Sequence, residues 1–332
     1  MKMGKKTLDQ RMTPAKFMSD WGSVAAIAVA FIIFSIAAPT VFFNSNNMVA
    51  ILRAISITTI IALGATFCFS AGIFDLSFAA LATLGAQFSV TFMAWYGIPM
   101  IPALLLTILA CMVVGALNSF VVIKLRVPAF LATLAMSFVL DGFALTYSGG
   151  SVINPMITGA RGQQVVMQIP EIFRSLGRAP AIIIIMFVCI IVADLFQSQT
   201  KHGRFLYVVG SNAEAGRLSG IRTNRYRTLA FLLAAVFSAI GGILIASRAG
   251  TVVAGAGTTF LMPSIAALNI GVALAGKKKA NAWGTFVGAA LIGVIENGLF
   301  VMAFPYYAIN IVKGLILLAA LVMSHYSTKE HA

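Results

Sequence analysis

The sequence predicts an all-α fold: a polytopic membrane bundle of about ten transmembrane helices with both termini in the cytoplasm. Three observations lead there. Of 332 residues, 60% are hydrophobic and only 10% are charged, whereas soluble domains carry about 25% charged residues. The apolar residues gather in stretches near the roughly 20 residues that a helix needs to cross a bilayer. The basic residues fall between those stretches and mostly in alternate gaps, as the positive-inside rule requires.

The elements follow in chain order. Segment 1–20 carries Lys2, Lys5, Lys6, Arg11 and Lys16 ahead of an apolar run from Trp21 to about Val41. That run starts late and exceeds the apolar core of a signal peptide, so it predicts an uncleaved first span. Spans are then predicted at 54–70, 77–95, 100–123, 129–147, 180–197, 229–247, 263–276, 283–303 and 306–324. The second and third are separated only by "AGIFDLS", which has no basic residue. Segment 263–276 is shorter than a full span, a length tolerated where a helix is shielded inside a bundle. Within 283–303, "GTFVG" puts Gly284 and Gly288 on one face, where backbones can approach closely. The predicted organisation is one transmembrane domain over 21–324, with a polar loop at 198–228 and a tail at 325–332.

Loop charge orients the bundle. With the N-terminus inside, the inner segments hold the five N-terminal cations, Lys124 and Arg126, and the six of the 198–228 loop (Lys201, Arg204, Arg217, Arg222, Arg225 and Arg227). They also hold Lys277, Lys278, Lys279 and Lys329. Only Arg53, Arg161, Arg174, Arg178 and Arg248 fall outside, and Lys313 lies in the last span. The longest outer segment, Ser148 to Pro180, is long enough to cover the outer mouth or to meet a partner there.

Several function classes drop out. A net charge of +14 can signal nucleic acid. Here topology accounts for the cations, and no nucleic-acid partner is expected. Cys68, Cys111 and Cys189 all lie in apolar runs without CxxC spacing, so neither a disulfide framework nor a metal site is expected. "GVALAGKK" mimics a phosphate-binding loop, but Lys278 replaces the Ser/Thr that would meet Mg²⁺. His202, His325 and His331 all lie in inner segments, and no catalytic constellation forms.

Polar residues at membrane depth are costly and mark a pathway or an internal pair. The candidates are Asp75, Ser77, Asn118, Asp141, Asn269, Glu296 and Asn297. Asp75, two residues before Ser77, also suits capping of the following helix. Glu296 and Asn297, mid-span in "GVIENGLF", also suit helix–helix hydrogen bonds.

The loop "TKHGRFLYVVGSNAEAGRLSGIRTNRYR" remains. "SNAE" fits a capping box with Ser211 as N-cap and Glu214 at N3. Gly220 can supply a left-handed stop. The pattern predicts a helix from Asn212 to Ser219, too short to stand alone in water, so it needs a surface to dock on.

The same loop resembles the signature of bacterial ABC sugar-importer permeases of the ribose, galactose and xylose type. Gly203, Arg204, Gly210, Asn212, Ala215, Ser219, Gly220 and Ile221 carry the match. "GIFDLSFAALATLGA", "GALNSFVVIKLRVPAFLATLAM" and "GLFVMAFPYYAINIVKGLILLAAL" resemble other segments of that family, so the likeness spans nearly the whole chain. The departures are Phe74 before Asp75, Phe78 and Ala79 after Ser77, Ser119 after Asn118, Asp141 before Gly142, and "GVALAGKKKANAWG" in place of a glycine-rich run.

The resemblance implies a multi-pass protein of the inner (cytoplasmic) membrane. A second permease subunit, identical or different, would complete the pathway. A cytoplasmic ATP-binding subunit would dock on the short helix, and a periplasmic sugar-binding protein would deliver a monosaccharide. The implied ATPase-coupling residues are Gly203, Arg204, Asn212, Ala213, Glu214, Ala215, Arg217, Ser219 and Gly220. ATP and Mg²⁺ would bind the partner, with no cofactor on this chain. Two alternatives stay open: an importer permease for autoinducer-2-like or other small polar cargo, and an ion-coupled secondary transporter using Asp75, Asp141 and Glu296.

Overall fold

The computed structural model describes residues 27–154, 156–158, 164–166, 169–274, 279–305, 307–309, 311–312, 314–315 and 318. The terminal segments 1–20 and 325–332, Lys277, Lys278 and most of the predicted span 306–324 lie outside them.

Among the described residues a helix stands at each of the first nine predicted spans. The chain begins with α1 (Ile27–Ala37) and a single turn, α2 (Pro39–Phe42). Six helices are long and apolar enough to cross a membrane. They are α3 (Ser45–Ser70), α5 (Met100–Ser119, prolonged by a π-helical turn to Lys124), α6 (Ala129–Ser148), α8 (Ala181–Gln199), α11 (Thr223–Ala249) and α13 (Ala282–Val301). The apolar helices α4 (Phe78–Ala94) and α12 (Leu261–Leu274) are shorter. Three further short helices are α7 (Glu171–Leu176), α9 (Lys201–Ser211) and α10 (Ala213–Leu218).

Helix α3 starts nine residues before its predicted span, because Asn44 caps it by accepting a 3.0 Å bond from the Asn46 N–H. Arg53, predicted in an outer loop, therefore lies inside α3. The long side chain of arginine can carry its charge away from an apolar stretch, which makes it a poor marker of a helix end.

The all-α expectation needs one addition. The segment between α6 and α7 forms a small antiparallel hairpin, β1 (Met156–Thr158) with β2 (Gln164–Val166), in register Met156 to Val166. A bridge between Ile153 and Val252, with both bonds 2.8 Å, ties that segment to the loop after α11. Phe173 of α7 is fully buried, and its carbonyl accepts from Ser247 Oγ at the end of α11. The segment is thus held on the end of the bundle.

The core is organised by α11, where small residues bring backbones together. A methyl group added at Gly64 of α3 would lie 2.9 Å from the Ala234 carbonyl oxygen, and one at Gly85 of α4 would lie 3.1 Å from Ala239 Cα. Gly288 of α13 lies against the Ala267 backbone, and a methyl group at Gly284 would sit 3.0 Å from the Gly271 carbonyl oxygen. The face predicted from "GTFVG" is therefore the seam between α12 and α13.

Candidate functional site

The 198–228 loop is more ordered than its composition suggested. Gln199 ends α8, and Thr200 caps α9 by accepting a 3.0 Å bond from the Gly203 N–H. Gly203 is buried against the backbone of Phe196 and Gln197, which makes the α8–α9 turn tight. Leu206 and Val209 bury the inner face of α9, while Arg204 is exposed.

The predicted capping box is corrected here. Ser211 is the last residue of α9, and its hydroxyl donates back to the Val208 carbonyl. Asn212 is the N-cap of α10, with its Oδ1 accepting a 2.9 Å bond from the Ala215 N–H. An asparagine caps as well as a serine, and Ser211 is taken up by the last turn of α9, where its hydroxyl bonds the Val208 carbonyl. The helix accordingly runs Ala213–Leu218, one residue shorter at each end than predicted. Freed from the box, Glu214 pairs with Arg217 at 2.5 Å, both side chains exposed. The bond to Glu214 also raises the Arg217 pKa.

The predicted stop is present. Gly220 has φ +79°, its N–H donates to the Arg217 carbonyl, and the Ile221 N–H donates to the Gly216 carbonyl, both at 3.0 Å. This is a Schellman motif following Ser219. Ala213 is half-buried, Ala215 is exposed and Gly216 is buried. Leu218 is 79% exposed, a large apolar side chain presented at the end of a very short helix.

Three of the seven membrane-depth candidates come together. Asp75 Oδ1 accepts from the Ser77 N–H at 2.8 Å and from the Ser77 hydroxyl at 2.7 Å. That hydroxyl in turn accepts from Asn118 Nδ2 at 2.7 Å. All three residues are buried. Asp75 thus fixes the turn that leads into α4, but its bonds go to the N-cap residue Ser77 and not to the first N–H groups of the helix, so it braces the turn rather than capping α4; the chain of bonds reaches α5. The neighbouring Leu76 N–H donates to Thr133 Oγ1 of α6 at 3.1 Å.

The other four lie elsewhere. Asn269 Nδ2 donates to the Ile265 carbonyl within α12. Asn297 Nδ2 donates to Asn47 Oδ1 of α3 at 3.0 Å, the helix–helix bond foreseen for that residue. Glu296 is exposed and lines a cavity of about 200 Å³ with Ala54, Thr58 and Asn297. Asp141 is half-buried on α6. Among the described residues, no three His, Cys, Asp or Glu side chains group as metal ligands.

The connection between the two regions was not foreseen. Gly72, with φ +72°, meets Gly210: a methyl group on Gly72 would lie 3.1 Å from Gly210 Cα, and one on Gly210 would lie 2.9 Å from the Gly72 nitrogen. The turn that carries Asp75 therefore rests on the last turn of α9, two residues before the Asn212 cap. Around it, Gln197 Nε2 donates to Ser70 Oγ at 3.4 Å, and its Oε1 accepts from the Ala282 N–H at 3.1 Å. Tyr207 Oη donates to the Ala280 carbonyl at 2.6 Å. The glycines were visible in sequence, but nothing paired residues 138 positions apart.

Comparison with known proteins gives the arrangement a context. Residues 47–321 match the family described as "Branched-chain amino acid transport system / permease component". The chain is 30% identical over 303 residues to the ribose import permease protein RbsC of Escherichia coli K12, covering 91% of this chain and 92% of that protein. It is 31% identical over 326 residues to the L-arabinose transport system permease protein AraH of the same strain, covering 95% and 93%. Among solved structures, an inward-facing metal-chelate type ABC transporter shares the fold, with TM-score 0.52 and 13% identity, covering 92% of this chain and 98% of that one.

Proposed function

The chain belongs to the family of branched-chain amino acid transport system permease components, and from that premise we propose that its own cargo is a monosaccharide, with pentoses the first to test. It is a multi-pass transport subunit, and ATP hydrolysis belongs to a separate ATPase. The sugar reading is supported by its likeness, over nine-tenths of its length, to ribose and arabinose permeases. That likeness lends nothing to an ion-coupled carrier or to autoinducer-2-like cargo.

In this reading the chain lies in the inner membrane as one permease domain over 21–324, with ten spans and with the segments 1–20 and 325–332 in the cytoplasm. It pairs with a second permease subunit, homo- or heteromeric. A periplasmic binding protein delivers sugar at the end held by α7 and the hairpin. The ATPase docks on α10, where exposed Leu218 and the Glu214–Arg217 pair form the contact and Asn212, Ser219 and Gly220 fix the helix ends. ATP and Mg²⁺ bind the ATPase.

The single observation that carries the mechanism is the Gly72–Gly210 contact. With no side chain between the backbones, α9 cannot shift without displacing the 71–77 turn. That turn holds α5 through Ser77–Asn118 and α6 through Leu76–Thr133. Closure of the ATPase thus moves α4, α5 and α6 together, and the pathway opens by helix movement rather than by chemistry in this chain.

Reconstitution tests this. Uptake of labelled ribose or arabinose should require ATP, the ATPase and the binding protein; uptake by this chain alone would overturn the reading. Glu214→Ala with Arg217→Glu should reduce ATPase co-purification about tenfold, because reversal turns an attraction into a repulsion. Membrane insertion should be unaffected.

A further inference from the structure

Between α9, the end of α10 and the first turns of α11 runs a groove of about 660 Å³. Exposed Arg222, Arg225 and His202 line it, together with Ser219 and Thr228, and no Asp or Glu does. Its walls are apolar: Phe205, Ile221, Leu229 and Leu232. Tyr226 stands between the two characters, with its hydroxyl 3.2 Å from His202 Nδ1 and its ring edge-on to Phe205 at 5.4 Å.

The order along α11 decides what fits. Arg222 is the N-cap and Arg225 lies in the first turn. Leu229 and Leu232 follow one and two turns further along the same helix, where it becomes continuously apolar. From Arg225 to Leu232 the axial distance is about 10 Å at 1.5 Å per residue. Cations sit at the helix start and apolar side chains at depth. A soluble anion would use the first and leave the second bare. An amphiphile with a negative head uses both.

We propose that this groove binds an anionic phospholipid, its phosphate at Arg222 and Arg225 and one acyl chain along Leu229 and Leu232. The proposal rests on the reading of α11 as a span that enters from the cytoplasmic side, where anionic lipids attract basic residues beside the membrane. It is independent of the cargo.

The test uses the full chain, first alone and then with its ATPase, in vesicles of phosphatidylcholine and phosphatidylglycerol, the latter carrying a photoactivatable group. Label should concentrate on the stretch from Ser219 to Leu232 of the unaltered protein. Arg222→Gln with Arg225→Gln should lower labelling about tenfold, while Lys124→Gln with Arg126→Gln, an equal loss of charge elsewhere, should leave it within about twofold. Label scattered along the chain would overturn the proposal, as would an equal fall in both variants. Suppression by inorganic phosphate would mean a free-anion site, and loss of label on adding ATPase would mean an ATPase contact; either also overturns it. Labelling reads no transport, so failure of the sugar assay leaves this result standing, and the reverse holds.

Discussion

The most apolar 18-residue windows of α5 and α11 have equal mean hydropathy, yet 72% of that of α11 is buried and only 22% of that of α5. The difference is size. Along α11, Ala234, Ala235, Ser238, Ala239, Gly241, Gly242 and Ala246 let α3 and α4 close onto it. Along α5, Ile101, Leu105, Leu109, Val113 and Leu117 stay exposed. Lipid is as apolar as leucine, so hydrophobicity sorts neither helix to the centre; close packing does. Apolar length marks a span, and small residues mark its place in the bundle.

The sharpest way to break this contrast is to give α11 one bulky side chain. A methyl group at Gly242 would already lie 2.7 Å from the Ala86 nitrogen. Gly242→Leu should therefore destabilise by about 3 kcal/mol or more and abolish a monodisperse peak on detergent size exclusion. A normal peak with an unchanged melting temperature would remove α11 from the centre.

The same kind of contact should behave differently at Gly210, because there it joins a peripheral helix to the last residue of α3, Ser70, and the turn that follows it. Gly210→Val should leave the chain folded and the ATPase bound, yet cut ATP-driven uptake by about a hundredfold, the order of loss that follows a 1 Å displacement of positioned groups. Loss of folding together with uptake would make the contact part of the packed centre instead.

Legibility in the sequence divides along the same line. Span α4 was placed to within one residue at each end, because apolar runs and their stops are local signals. The Gly284–Gly288 seam was readable from spacing alone. Helix α9 was not: its Leu206 and Val209 sit among five charged or polar neighbours, so composition spoke louder than its buried face. That unseen helix also took Ser211 from the expected capping box. Of the membrane-depth candidates, Asp75 and Ser77 are neighbours in sequence, while Asn118 joins them only through packing of α4 on α5.

That polar tie is the next lever. Asp75→Ala strands the buried Ser77 N–H, a cost of about 1–3 kcal/mol, and loosens the hold on α5. Asp75→Asn keeps an acceptor oxygen. Uptake should fall about tenfold for the first and stay within about threefold for the second, by the ordinary arithmetic of rate and free energy. Equal losses would show that the charge itself matters, and would return Asp75 to direct contact with cargo or an ion.

The smallest effect belongs to the outer face of α5. Leu109 is more than half exposed, so in the lone chain Leu109→Ala removes little packing and should shift stability by less than about 0.5 kcal/mol. Thermal unfolding of the monomer in detergent measures this. The same substitution in the assembled importer asks a different question. A buried leucine costs about 2–5 kcal/mol when truncated, so a loss of that size only in the assembly would mean that the second permease covers α5. An equally small effect in both states would leave this face to lipid, and α5 would then be held to the protein by its inner edge alone: Gly115 against Ala235 and Phe231, and Asn118 against Ser77.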